Sequence, residues 1–522
     1  MSSLFAAVSQ WVVQHRRRTW LAGFAIFFML MASWTFATPL TAAPDEPAHM
    51  LRAAAVARGQ VSGPLVIRTQ LIGGTPREES VTAVRLPQRY VSLNQMYPCY
   101  VFRHRSAGCA PAFGGSEQTV VTTTAAGRYN PAYYLAVGWP TLFLRGTAGL
   151  YAMRLLSALI CAALLAGAVV TASEWRRRGV AVLGVTAAAT PMVLFLGGVV
   201  NPNAVEAAAG VLLWTSVLTI CMSPDPDLLN RRMARVGTAA AVLFCIRPLG
   251  LAWVAAAVAC GLMVSERGTL RAVVKRRAFW LWSAMAGLFF VAGEVWNMTH
   301  PDHSYMNNPP SATSVAMSTF RNSYKFINQM VGDFGWLDTP SPAYTLIVWP
   351  AAVVFLALLA WTCCRRREGL PVLAICVGIF VIPIVGNALE HNLGPIWQGR
   401  YLLAFTVGLP ILSAFIIARR DPLAPIQRRR LVSVMALVLA TADFTAFFGA
   451  LHQYLVGSNA PLIPRHAHWQ PPGTWPLWAA VYLVTLAAQY LLVRSFVQTD
   501  AEPAVGGATP LGGQVSSTPA TV

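Results

Sequence analysis

Charge is what this chain has least of. Of its 522 residues, 11% are Asp, Glu, Lys or Arg and 56% are hydrophobic, whereas soluble proteins carry about 25% charged residues. A water-soluble fold could not hide that much apolar surface, but a bilayer can. Acids are the scarcest, 20 against 39 Lys and Arg. In a soluble protein the formal charge of +19 would suggest nucleic acid. Here the basic residues sit in short runs between apolar stretches: Arg16 to Arg18, Arg176 to Arg178, Arg231 to Arg235, Arg267 to Arg277, Arg365 to Arg367 and Arg419 to Arg430. That is the positive-inside pattern, and no nucleic-acid partner is expected. The chain also lacks a Walker loop, a Gly-x-Gly-x-x-Gly after a strand, a Gly-x-Ser-x-Gly elbow and a His-Glu-x-x-His pair. A cytoplasmic ATP or nucleotide-sugar site therefore has no support. No internal repeat marks an inverted-repeat transporter.

What is there is a series of apolar segments. A crossing needs about 20 such residues, and twelve segments are expected: 19–40, 149–172, 179–199, 204–222, 237–247, 249–264, 278–297, 342–362, 370–387, 401–418, 431–456 and 475–493. The pair within 237–264 is too short for two full crossings, so a re-entrant-like hairpin with its tip at Arg247-Pro248 is expected. Thr41-Ala42-Ala43 loosely resembles a signal cleavage site, but the apolar run before it exceeds the usual 7–15 residues, which favours a retained helix. The fold class is thus an all-α polytopic membrane protein of about 12 transmembrane segments. Residues 1–18 form a cytoplasmic N-terminus, 19–495 the transmembrane domain and 496–522 a disordered cytoplasmic tail rich in Gly, Pro, Ser, Thr and Ala. Both termini lie inside, and the expected address is the plasma membrane.

Four regions are then extracytoplasmic: 41–148, 298–341, 388–400 and 457–474. In the large first loop, Leu65–Thr69, Ser80–Val91 and Thr119–Thr124 read as short strands. Seven of the nine cysteines lie in or beside apolar spans as small hydrophobes. Cys99 and Cys109 lie in the outer loop and are expected to form a disulfide, which would contribute about 2.5–3 kcal/mol in the chain-entropy model.

With so few acids, their positions carry information. Pro44-Asp45-Glu46-Pro47-Ala48-His49 follows the first span, and Pro47 with the alanines to Ala57 predicts a helix stopped by Gly59. His49 lies four residues from Asp45 on the same face. One carboxylate would serve to cap that helix, while two adjacent ones leave a chemical role open. Gly332-Asp333-Phe334-Gly335-Trp336-Leu337-Asp338 brings two more acids before a later span, with Trp336 reading as an interfacial anchor. Trp397-Gln398-Gly399-Arg400-Tyr401 opens another span. Arg247 and Arg400 stand at the outer boundary, where they either snorkel to headgroups or bind phosphate through the guanidinium fork.

The Asp-Glu pair opening the first outer loop resembles the GT-C superfamily of membrane glycosyltransferases. Together with Phe334-Gly335-Trp336-Leu337-Asp338 and Gln398-Gly399-Arg400-Tyr401, it is similar to a bacterial family of predicted membrane proteins called domain of unknown function 2142, grouped with GT-C enzymes. The resemblance runs from about residue 20 to 495. It implies a GT-C-like helical bundle with a large first extracytoplasmic loop. It also implies a sugar donor carried on polyprenyl phosphate, a cell-envelope glycan, lipid or protein acceptor, and Asp45 as base with Glu46 beside it. His49, Arg247, Asp338, Gln398, Arg400 and Tyr401 are the candidate substrate-binding residues by position. Acids at 45, 46, 333 and 338 could hold a divalent cation, though no spacing demands one. Membrane lipids are expected partners. The alternatives are a flippase for a lipid-linked sugar, a glycan polymerase or ligase, and a non-catalytic scaffold; oligomeric state stays open.

Overall fold

The computed structural model describes residues 12–500 except Gln14, Gly73, Gly74, Leu462 and Arg465. Fifteen of the helices among the described residues frame the bundle and its cap. The first, α1 (Arg16–Ala37), begins in its basic triplet and stops before Pro39, which cannot continue a helix. There follow α2 (Glu46–Ala57), α3 (Pro131–Gly138), α4 (Thr147–Ala172), α5 (Arg178–Ala188), α6 (Pro191–Gly197), α7 (Pro202–Met222), α8 (Leu229–Ile246), α9 (Gly250–Val264) and α10 (Arg277–Thr299). The last five are α11 (Ala343–Cys363), α12 (Arg366–Leu389), α13 (Gly408–Arg420), α14 (Pro425–Val456) and α15 (Trp475–Gln498).

Among the described residues, nine helices are long and apolar enough to cross a membrane, and α5 with α6, bent by 66°, would make a tenth. The break falls at Thr190-Pro191, where Pro removes an N–H from the ladder. Burial runs opposite to the habit of a soluble bundle. The apolar window of α7 is fully buried at the centre, while only 11% of that of α10 is buried, and Leu281 and Leu288 stand 68% exposed. An apolar rim around an apolar core is a surface made for lipid.

Each of the twelve expected segments falls on a helix, with one correction of shape. In the 237–264 pair the turn falls at Arg247-Pro248 as expected, between α8 and the 15-residue α9, but α8 begins at Leu229 rather than near residue 237. Its basic residues stay helical: Arg232 and Arg235 donate to Glu174 at 2.8 and 2.9 Å. At 1.5 Å per residue α8 is about 27 Å long and α9 about 22 Å, and neither is among the nine helices long and apolar enough to cross. The last helix likewise runs on to Gln498, past the expected boundary at 495. The rest of the expected tail, 501–522, lies outside the described residues, as does most of the expected N-terminal segment.

The basic clusters gather at one end of the bundle. Arg419 and Arg420 pair with Glu368, and Arg419 with Glu266. Arg177 and Arg428 both pair with Asp421. At the other end the chain between α1 and α4 forms a cap. Its antiparallel sheet comprises β1 (Leu65–Ile72), β2 (Thr75–Pro87) and β3 (Thr119–Thr124), with β4 (Tyr305–Met306) also pairing with β2. Thr82 sits opposite Leu65 on one side and Thr124 on the other. Cys99 and Cys109 are bridged, closing a loop whose Ser106 hydroxyl donates to the carbonyls of Tyr454 and Leu455 at the end of α14.

Candidate active site

The turn from α1 into α2 is fixed by a fully buried ion pair. Arg154, two turns into α4, and Glu46, the first residue of α2, have side chains that are 0% exposed. Arg154 Nε and Nη2 donate to the two carboxylate oxygens at 2.7 and 2.6 Å. Its remaining N–H groups donate to the carbonyls of Thr35 and Thr38, at the end of α1 where the helix supplies no further N–H, and to that of Pro39, all at 2.7–2.8 Å. Glu46 also accepts from the backbone N–H of Thr41 at 3.0 Å and of Val200 at 3.1 Å. Every donor of the guanidinium is used, and Glu46 meets only donors. No position remains for a substrate.

The neighbouring acid faces the other way. Asp45 takes φ +60°, a left-handed conformation that Asp tolerates better than most residues. Its side chain is 49% exposed although the fold surrounds it closely; it lines a hollow rather than the core. Arg400 Nη2 donates to its Oδ2 at 2.5 Å. Burial would raise the carboxyl's pKa, but the attraction of Arg400 outweighs this and holds it below the usual carboxylate value.

Arg400 itself is 1% exposed and is delivered by a 3-10 turn, Gly399–Leu402. Gly399 is required there, since a Cβ would lie 2.3 Å from the carbonyl oxygen of Phe326, and its N–H donates to Gln329 Oε1 at 2.7 Å. Tyr401 sits between two guanidiniums, Arg247 at 4.3 Å and Arg400 at 5.3 Å from the ring centre. Arg247 is held in turn by Asn203 Oδ1 and by Glu206 at 3.7 Å, and Glu206 accepts from Trp253 Nε1 at 3.0 Å. His49 lies on the same wall, its Nδ1 2.9 Å from the Tyr134 hydroxyl. Burial drives its pKa down to about 3, with Arg400 and Arg247 adding to the effect against the pull of Asp45. It is neutral at pH 7.

Of the residues singled out in the sequence, Asp45, His49, Arg247, Arg400 and Tyr401 come together. Gln398 precedes Arg400, with its Oε1 buried and lacking a protein partner. Asp338 does other work: its oxygens accept from the backbone N–H of Phe102 at 2.7 Å and of Trp336 at 3.0 Å, locking the 334–338 turn to the first loop. The four acids offered for a cation do not converge, because Glu46 is committed to Arg154 and Asp338 to backbone. Among the described residues no three His, Cys, Asp or Glu side chains form a metal-ligand group.

Arg154 was missed. Its signal was present, a single arginine inside an apolar run, which rarely occurs without a partner. Two other neighbours carried weaker signals. Tyr97 feels the Asp45 charge and stacks on Trp336 with ring centres 4.6 Å apart. Arg52 is fully buried on the α2 face that carries Asp45 and His49. Its Nη2 donates to Tyr129 O at 3.1 Å, while its Nε and Nη1 have no protein partner. Nε of Arg247 and of Arg400 are also buried without one.

Residues 27–409 match the family described as predicted membrane protein (DUF2142). No curated protein sequence matches the chain. Among solved structures, ArnT from Cupriavidus metallidurans bound to undecaprenyl phosphate is 14% identical, with a TM-score of 0.41 over 96% of this chain and 77% of that one. The apo state of the same protein is 14% identical, with a TM-score of 0.37 over 72% and 67%. Likeness at that level does not establish a shared activity.

Proposed function

This chain belongs to the DUF2142 family of predicted membrane proteins, and from that premise we propose that it is a membrane glycosyltransferase. It moves a sugar from polyprenyl phosphate to a cell-envelope acceptor on the extracytoplasmic side, with Asp45 as general base. The observation that carries this reading is the ionised, half-exposed Asp45 carboxylate paired with Arg400, with a second guanidinium, Arg247, across the Tyr401 ring. With the basic end of the bundle in the cytoplasm, that hollow opens outside, and a lipid-borne donor reaches it without a nucleotide-binding domain. The kinship in motif with GT-C enzymes supports the same class.

The chemistry is a single displacement. The acceptor hydroxyl attacks the anomeric carbon while its proton passes to Asp45. The new C–O bond forms as the bond between the anomeric carbon and the phosphate oxygen breaks, and the configuration inverts. Negative charge grows on the departing polyprenyl phosphate, where fixed guanidiniums stabilise it most. Arg400 has a double part. In the unloaded site it holds Asp45, and a guanidinium-bound carboxylate is a weak base. When the donor phosphate draws Arg400 to itself, Asp45 is released to accept the proton. Glu46 and Arg154 are positioning residues that aim Asp45.

The test is transfer by the full chain in vesicles, with a polyprenyl-phosphate sugar and a mixed acceptor extract. Asp45→Asn is expected to lose at least 100-fold in rate, and normal turnover by that variant would remove Asp45 as base. A flippase would move the labelled donor across the bilayer without any transfer; a transferase needs no net movement. The intramembrane acid Asp443 offers that rival little, since it is buried and accepts from the Tyr482 hydroxyl at 2.8 Å.

A further inference from the structure

The far end of α2 carries a second basic recess that the transfer site does not use. It measures about 520 Å³ and is lined by Arg58, Arg89, Arg145 and Glu117, with Leu142 and Phe143 at its edge. At 1.5 Å per residue Arg58 lies about 20 Å along the chain axis of α2 from Asp45, so the two hollows are separate. Three guanidiniums face one carboxylate. Glu117 is spent on Arg89, with which it forms an ion pair. Arg58 donates only to neutral oxygens, those of Ala54 and Thr141 at 2.9–3.0 Å. Arg145 is exposed, and among the described residues no hydrogen bond or ion pair engages it. Among the described residues, then, no acidic group balances two of the positive charges in the recess.

Its rim has the opposite character. Trp139, Leu142, Phe143 and Leu144 are 45–75% exposed, Phe143 the most, and they stand directly before Thr147, where the membrane span α4 begins. Apolar side chains left bare at the mouth of a span are immersed in acyl chains, and an aromatic such as Trp139 marks the interface. The guanidiniums beside them then lie at headgroup depth. Basic recess and apolar strip together match one kind of occupant, a lipid with a net negative phosphate head and its chains along residues 142–144.

We propose that Arg58, Arg89 and Arg145 form a binding site for an anionic phospholipid on the membrane face that carries Asp45. The site does not depend on the proposed transfer reaction. A soluble phosphate would find the guanidiniums but not the strip, and a zwitterionic lipid would bring a choline against them. The experiment is native mass spectrometry of the full-length protein released from micelles doped with equal phosphatidylglycerol and phosphatidylcholine. Retention of phosphatidylglycerol at least fivefold above phosphatidylcholine is expected, falling at least fivefold in Arg145→Glu and in Phe143→Ser, and unmoved by millimolar glycerol 3-phosphate. Both variants alter exposed side chains, and an unchanged unfolding midpoint verifies their fold; Arg145→Gln replaces any that fails this check. Equal retention of the two lipids, retention indifferent to the variants, or displacement by glycerol 3-phosphate would each overturn the proposal.

Discussion

Two adjacent acids should fail in opposite ways when each loses its charge. Glu46→Gln keeps the shape of a buried side chain whose every neighbour is a donor: Arg154 twice, and the N–H groups of Thr41 and Val200. The new amide NH2 therefore meets a donor whichever way it turns. Arg154, 0% exposed, is left as a buried cation with no anion. Removing one partner of a buried pair costs about 3–5 kcal/mol, against a total stability of about 5–15 kcal/mol. Asp45→Asn is different. Asparagine accepts a positive φ as readily as aspartate, its Oδ1 can still accept from Arg400, and the pair it weakens is half exposed on the Asp45 side. Arg400 is itself 1% exposed, so its lost attraction counts, but it keeps an acceptor, and the cost should fall below that of Glu46→Gln.

The assay is thermal or denaturant unfolding of the purified protein in detergent, followed by tryptophan fluorescence, alongside the transfer measurement. Glu46→Gln should unfold far earlier and lose activity with its fold, while Asp45→Asn should stay folded and inactive. The double replacement Glu46→Leu with Arg154→Met sharpens the test. Apolar substitution of a buried pair is often harmless, but here it also orphans the carbonyls of Thr35 and Thr38, and each buried orphan costs about 1–3 kcal/mol. A double variant as stable as the parent would refute the clamp.

Three further outcomes are expected. Because Arg400 holds the Asp45 pKa below 3.8 and His49 titrates at about 3, neither group changes protonation between pH 5 and 8. The pH profile of kcat/KM should therefore be flat there, and its acid limb should appear only below about pH 4; a step near pH 6–7 would contradict both assignments. Tyr401→Phe keeps the ring between Arg247 and Arg400 and should lose less than about threefold in rate, while Tyr401→Ala frees both cations and should lose more than about tenfold, at the cation–π energies of 0.5–2 kcal/mol each. Asp333 is raised to about 6 by burial and by Asp338. An acid raised in the folded state is stabilised as the protonated form, so folding stability falls as pH rises from about 4 to 6. Asp333→Asn should then gain about 1–2 kcal/mol at pH 7.5, after discounting for its partial exposure, and gain little at pH 4, as read from unfolding midpoints.

How far the sequence foretold this molecule depends on the range of the forces involved. Local signals were legible. Richness in Val and Thr placed β3 at residues 119–124, Pro47 and the alanines placed α2, and loop position picked out the Cys99–Cys109 bridge. The extent of α8 was not, because hydropathy stops at a run of arginines that Glu174 keeps helical from outside the segment. Nor was the division of labour between Asp45 and Glu46. It is decided by a turn of positive φ and by an arginine from α4, 108 residues further along the chain. Asp338 misled for the same reason: an acid in a suggestive motif, claimed by the backbone of Phe102 from a distant loop.

The charges around the Asp45 hollow can be weighed as a set. Arg52, Arg247 and Arg400 supply three positive charges, while Asp45 and Glu206, the carboxylate partner of Arg247, supply two negative ones, so the empty site carries one excess positive charge. That excess is lodged on nitrogens with no protein partner, Nε of all three arginines and Nη1 of Arg52. A phosphodiester donor brings one negative charge and makes the site neutral. In the proposed displacement Asp45 would gain a proton and lose its charge while the departing phosphate gained one, so the site would stay neutral from start to finish. A low-dielectric pocket penalises any net charge it cannot balance, and an arrangement that begins and ends neutral avoids that penalty throughout the step. The unpaired guanidinium N–H groups fit an anion that the fold itself does not contain.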